Sequence, residues 1–152
     1  MPNSMSERAR ADRRAAYPYF ARITTRWLDN DAYAHVNNVV YYAFFDTAVN
    51  ELLIRSDVLD VRHSPIIGFV VETQCRFFTP LAFPDRIDAG VRVARIGTSS
   101  VRYEIGIFRN NDETAAAQGY FVHVYVDRVS NRPVPALPQA LRDVLQPLLV
   151  NG

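Results

Sequence analysis

Lysine is absent from this 152-residue sequence, and all 17 basic residues are arginine. The absence excludes Schiff-base and lysine-base chemistry, and the bias itself reads as codon usage. Cysteine is nearly absent too. The single Cys75 has no partner for an internal disulfide, and its setting in "VVETQCRFF" makes it a small strand-borne hydrophobe rather than a nucleophile. Only six glycines occur. They form neither a G-x-S-x-G elbow nor a phosphate-binding loop, so serine-hydrolase and nucleotide-binding chemistries lack their signatures. No apolar run is long enough to cross a bilayer. The N-terminus lacks the apolar stretch of a signal peptide, so a cytoplasmic chain without membrane attachment is expected. Excess charge is missing as well: a net charge of +1, with the arginines scattered, offers no electrostatic footprint for nucleic acid. The three histidines, His35, His63 and His123, are far apart and no Cys/His spacing suits zinc, so neither a metal nor a cofactor is expected.

What is present is apolar and aromatic. Hydrophobic residues make up 49% of the chain and aromatic ones 12%, enough for one domain burying about 68–70% of its unfolded surface. Residues 1–16, "MPNSMSERARADRRAA", carry almost no large apolar groups and read as a disordered leader, leaving 17–152 as the domain. "YFARITTRWL", Tyr19 to Leu28, reads as a first strand. Val39 to Arg55 reads as a long helix capped by Asn37 or Asn38. It is apolar on nearly every side and therefore expected to be buried. Four strands punctuated by turns follow, at about Phe69–Phe78, Arg86–Ile96, Val101–Arg109 and Thr114–Arg128, then a short terminal helix broken by Pro147. Val101, Tyr103, Ile105 and Ile107 share one face of their strand. Phe121, His123 and Tyr125 oppose Tyr120, Val122, Val124 and Val126 on a strand apolar on both sides. This order fits an α+β arrangement, a curved antiparallel sheet of about five strands wrapped around one helix. Long sheet edges favour a homodimer joined edge to edge, or a dimer of dimers.

Polar residues concentrate in "DNDAYAHVNN", Asp29 to Asn38, directly before the apolar helix. A helix N-terminus presents unpaired N–H groups and the positive end of its dipole, so the backbone N–H of Asn38 is placed to hold a developing oxyanion. A carboxylate upstream can face the same carbon if the loop curls back across the helix mouth. Asp46, mid-helix in an apolar run, needs a partner: either Asn50 four residues on contacts it, or it lines a pocket at the dimer interface, the structural role being the favoured of the two.

The stretch "DNDAYAHVNNVVYYAFFDTA" resembles the signature of the hot-dog fold acyl-thioester hydrolases of the 4-hydroxybenzoyl-coenzyme A thioesterase type. "GFVVETQCRFFTPLAFPDRIDAGVRVARIGTSSVRYEI" and "VYVDRVSNRPVPALP" are similar to the strands and turns that follow it in that family. The resemblance spans roughly Tyr19 to Pro138. It implies a hot-dog fold and hydrolysis of an acyl-coenzyme A or acyl-carrier thioester, with Asp31 as the catalytic carboxylate, acting as nucleophile or as general base on water. Asp29 then supports the loop, and His35 either orients substrate and water or is structural. Ala34 stands where the family most often has Gly, and Tyr33 where a small residue is common, which makes the loop bulkier. Candidate substrate contacts are Tyr33, Asn37 and Tyr41; Ser99 and Ser100 are read first as the start of a strand after a turn, and second as contacts to the carrier's pantetheine or phosphate. Arg76, Arg92, Arg95 and Arg102 are candidates for the carrier's phosphates. The same fold also hosts hydratases and dehydratases, for which His35 and Asp31 would be a proton-transfer pair, and non-catalytic acyl-binding modules.

Overall fold

The computed structural model describes residues 10–150. Its strands are β1 (Tyr19–Thr24), β2 (Ile66–Phe77), β3 (Arg86–Ile96), β4 (Ser100–Arg109) and β5 (Ala117–Asp127). They form one antiparallel sheet in the order β1-β3-β4-β5-β2. The helix α1 (Asn38–Arg55) follows β1 in the chain and delivers β2 to the opposite edge of the sheet. A short α2 (Gln139–Leu145) and a 3-10 turn (Gln146–Leu148) close the chain, the break falling where Pro147 removes a donor. This is the expected five-stranded α+β architecture. The first strand is shorter than expected, because "WLD" at Trp27–Asp29 turns into a 3-10 segment instead of extending β1.

Alternation places the core. Val101, Tyr103, Ile105 and Ile107 of β4 are fully buried, as are Ile87, Ala89, Val91 and Val93 of β3. They pack with Phe44, Phe45, Ala48, Val49, Leu52 and Leu53 on one face of α1. On β5, Phe121, His123 and Tyr125 are buried with them, while Tyr120, Val122 and Val124 on the other face are only half-buried. The expectation that α1 is buried all round is corrected. Val39, Ala43, Asp46, Thr47 and Ile54 form an exposed outward face, because within one protomer the sheet covers only the opposite side of the helix.

The outer face of the sheet, away from α1, has its own cover. Gly90 and Gly106 are register partners on β3 and β4. A Cβ at either would lie 2.7 or 2.6 Å from the Tyr17 side chain, so the missing side chains let that ring lie flat on the sheet. Residues 1–9 of the expected disordered leader lie outside the described residues. Residues 10–16 depart from the expectation: Asp12 donates its N–H to Gln118 Oε1 (2.7 Å), Arg13 bridges Thr114, and Arg14 pairs with Asp88 (2.8 Å). The arginines and alanines of this segment contribute little core, and the sheet's polar outer face supplies the partners that hold it.

Candidate active site

The polar loop folds as a small hairpin at the mouth of α1. Asn30 bridges Val36, the Asp31 N–H donates to the His35 carbonyl (2.8 Å), and the Ala34 N–H donates to the Asp31 carbonyl (3.0 Å). Asp31 therefore sits one residue from a bridge that ends two residues short of Asn38, so the loop does curl back toward the helix start. Its Oδ1 accepts the Tyr33 N–H at 2.8 Å, an Asx turn that fixes the side chain while leaving Oδ2 without a donor among the described residues. Ala34 adopts φ 65°, the left-handed conformation that glycine takes at no steric cost, which accounts for the glycine usual at this point of the family pattern.

Asp29 anchors the hairpin from below. Its carboxylate is 2% exposed and accepts from Arg26 N (2.7 Å), Nε (3.1 Å) and Nη2 (2.9 Å), while its carbonyl accepts the Asn37 N–H (2.9 Å). Asn37 is the N-cap, its Oδ1 accepting the Val39 N–H at 3.0 Å, and the Val40 N–H donates to the Asn37 carbonyl at 2.9 Å. Each of these donors is thus engaged. The Asn38 N–H, first in the helix, has no protein acceptor among the described residues.

Asn38 opens onto a cavity of about 290 Å³ whose other walls are Val36, Tyr41, Phe77, Phe78, Thr79 and Pro80. Tyr41 and Phe77 meet edge to face at 4.9 Å. Burial pushes the Tyr41 phenol up to about 12, so it is a neutral wall and hydrogen-bonding group, not a base. Asp31 lines a neighbouring, larger hollow of about 460 Å³ with Trp27, Leu28, Asn30 and Phe83. The two hollows share no lining residue, so a single protomer brings Asp31 and Asn38 to adjacent surfaces of the same loop without enclosing them together.

The remaining candidates divide. Tyr33 is 84% exposed and His35 is exposed at the hairpin tip. Asn50 donates to the Asp46 carbonyl (2.8 Å) rather than to its carboxylate, and desolvation along the helix face raises the Asp46 carboxyl. Burial pushes the Cys75 thiol up to about 12, which keeps it protonated. Ser99 and Ser100 sit at the β3–β4 turn, where the carbonyls of both are taken by backbone N–H groups of Tyr125 and Gly97. Arg76, Arg92 and Arg102 gather on the outer face of the sheet, and Arg95 is exposed at the β3 bulge. The aromatic wall of Phe77 and Phe78 was missed in the sequence. Its signal is "RFFTP", a strand ending in two aromatics and a turn proline, which reads as core unless the register shows that it meets the helix start.

A family model described as the thioesterase-like superfamily matches residues 25–145. Among solved structures, the PA5185 protein of Pseudomonas aeruginosa is 54% identical, with 92% of this chain and 97% of that chain covered at a TM-score of 0.89. A thioesterase from Thermus thermophilus, complexed with coenzyme A and zinc, is 29% identical over 88% of this chain and 95% of that one, with a TM-score of 0.72. A DHNA-CoA thioesterase from Staphylococcus aureus, 16% identical over 76% and 78% of the two chains at a TM-score of 0.70, shares the fold. Comparison with curated proteins finds no match.

Proposed function

Because this chain belongs to the thioesterase-like superfamily, we propose that it hydrolyses acyl-coenzyme A thioesters to a free acid and coenzyme A. The observation that carries the reading is the unengaged Asn38 N–H at the edge of an apolar cavity, one hairpin away from the open Oδ2 of Asp31. In the proposed reaction the acyl group lies against Tyr41, Phe77 and Phe78, with its carbonyl oxygen on the Asn38 N–H. Attack on the carbonyl carbon, by Asp31 or by a water that Asp31 deprotonates, builds negative charge on that oxygen. A fixed N–H donor at the positive end of α1 stabilises the charge most where it is largest, in the transition state. Collapse breaks the C–S bond and expels the thiolate of coenzyme A: on the general-base route the acid forms directly and the proton taken by Asp31 passes to the thiolate, whereas on the nucleophilic route an acyl-Asp31 anhydride remains, which water hydrolyses to the free acid and the restored carboxylate. The Thermus thermophilus relative was crystallised with coenzyme A, which supports that carrier over a protein carrier.

The reading includes a homodimer. β2 is a sheet edge of 12 residues, with Phe69 42%, Val70 46% and Val71 60% exposed. An unpaired apolar edge of that length favours a second strand, and β2 of a second copy supplies one with two-fold symmetry. That copy would also provide the missing wall between the two hollows. The test is thiol release across short, medium, long and aromatic acyl-coenzyme A substrates, with product analysis. Hydrolysis frees a thiol, whereas hydration or dehydration of the acyl chain does not. Tight acyl-thioester binding without thiol release on any of them would overturn the enzyme reading in favour of a binding module.

A further inference from the structure

Three arginines meet on the sheet's outer face, on the side opposite α1. Arg92 (β3), Arg102 (β4) and Arg76 (β2) line a cavity of about 260 Å³ floored by Tyr120 and Gly119 of β5. The hydrogen-bonding capacity of this cavity is lopsided. Glu104 accepts from both Arg92 Nε (2.8 Å) and Arg102 Nε (3.4 Å), and Asp12 forms an ion pair with Arg92 Nη2 (3.2 Å) and accepts from the Tyr17 hydroxyl (2.9 Å). Gln118 is used on both sides, its Oε1 by Asp12 N and its Nε2 by the Arg10 carbonyl. Both Glu104 oxygens, Asp12 Oδ2 and the Gln118 amide are therefore engaged, while guanidinium donors remain. Arg102 lies over the Tyr120 ring at 3.7 Å, held flat, and both of its terminal amino groups lack a protein acceptor among the described residues. Arg76 and the Gln74 amide likewise have none, and both are exposed at the rim.

A pocket whose two free guanidinium groups flank carboxylates already engaged by Arg92, Arg102 and Tyr17 suits an anionic ligand that accepts, and guanidinium forks match phosphate oxygens in geometry and charge. We propose that this outer-face cavity is a phosphate-recognition site, with Arg76 and Arg102 as its two clamps and Arg92 as the fixed positive floor that Asp12 and Glu104 hold in place. Its size accommodates a phosphate or diphosphate group. That chemistry has two sources, the diphosphate of coenzyme A or a free phosphate-bearing effector. The proposal does not depend on hydrolysis at Asp31.

The test is isothermal titration of the full chain with inorganic pyrophosphate, alongside Arg76→Ala and Arg102→Ala. One site per chain is expected, with affinity falling about tenfold in each variant as a charge-assisted bond is lost. Arg76 is exposed and has no side-chain partner among the described residues, so Arg76→Ala is expected to leave the fold intact even if Arg102→Ala disturbs the sheet, and a thermal melt checks both. Absence of pyrophosphate binding by the parent, or equal binding by parent and Arg76→Ala, overturns the site. Michaelis constants then identify the source. A rise in Arg76→Ala for acyl-coenzyme A but not for acyl-pantetheine assigns the site to the carrier, and loss of pyrophosphate binding with both constants unchanged assigns it to a free anion.

Discussion

If Asp31 acts as proposed, replacing it by Asn separates catalysis from folding. The side chain's structural work is one hydrogen bond, Oδ1 accepting the Tyr33 N–H at 2.8 Å, and the amide oxygen of Asn can accept it equally. What the fold loses is the charge on that acceptor and its interaction with the nearby helix dipole. At a half-exposed position these together are worth about 1 kcal/mol or less. What the proposed reaction loses is its base or nucleophile, for which a fall in turnover of roughly 10²–10⁴-fold is expected, or about 3–5 kcal/mol of barrier. The kinetic effect should therefore exceed the thermal one severalfold. Steady-state thiol release and a thermal melt on the same preparation measure both. Two controls sharpen the result. Asp29→Asn weakens a buried carboxylate held by three Arg26 contacts, so it should lower the melting temperature while losing less turnover. Asp46→Asn, exposed on α1, should change little in either assay. An Asp31→Asn protein that hydrolyses within a few-fold of the parent would remove Asp31 from the mechanism.

Three further outcomes are expected. His123 is 3% exposed and burial lowers its imidazole from 6.5 to about 4. Below about pH 6.5 the unfolded chain takes up a proton that the folded one refuses, so His123 contributes a stability loss growing from pH 6.5 down to about pH 4, of order 3 kcal/mol at most. Subtracting the pH–stability curve of His123→Phe from that of the parent isolates this slope, and a flat difference would refute it. Ala34→Gly relieves a left-handed backbone worth about 1 kcal/mol but adds unfolded-state entropy, for a net gain of roughly 0.5 kcal/mol or less, whereas Ala34→Val should cost at least about 1 kcal/mol. Chemical denaturation ranking Val above Ala would contradict the left-handed assignment. Val71→Lys places a charge on the apolar edge of β2 and should shift light scattering toward monomer with turnover falling in parallel; a fully active monomer would exclude a shared site.

The parts of this fold legible in the sequence are those governed by local rules. β3 runs from Arg86 to Ile96 as read, because "TPLAFPD" and "GTSS" end it on both sides, and α1 begins within a residue of its asparagine cap. The buried faces of β4 and β5 follow from simple alternation. Errors arise where a partner distant in sequence decides the outcome. Arg10 to Ala16 look like a leader until the sheet's outer face is assembled from β3, β4 and β5 to receive Tyr17, Arg14 and Asp12. At the candidate site, motif and helix-cap chemistry reach Asp31, Asn37 and Asn38, yet the wall facing Asn38 comes from Phe77 and Phe78, some forty residues downstream. No spacing rule connects those positions, because β2 reaches the helix mouth only through its pairing with β5.

The two surfaces that one protomer leaves uncovered belong to a single problem. α1 lies nearest β1 and β3, so β2 projects beyond the helix and none of its 12 residues is buried, although Ile66, Ile67, Phe69, Val70, Val71, Cys75 and Phe77 are apolar. The outward side of α1, from Val39 through Ala43 and Thr47 to Ile54, is bare as well. Reading α1 from sequence as buried all round was wrong for the protomer but follows directly from its composition, and composition responds to every surface a chain must cover in its working state. A second copy pairing β2 with β2 across a two-fold axis would run its helix antiparallel to the first. That would place the C-terminal half of one α1 beside the N-terminal mouth of the other, where Asn38 and Phe77 stand open at the edge of the cavity. One association would then cover the strand, the helix face and the mouth of the cavity together, which is why the dimer is part of the proposed chemistry and not an addition to it.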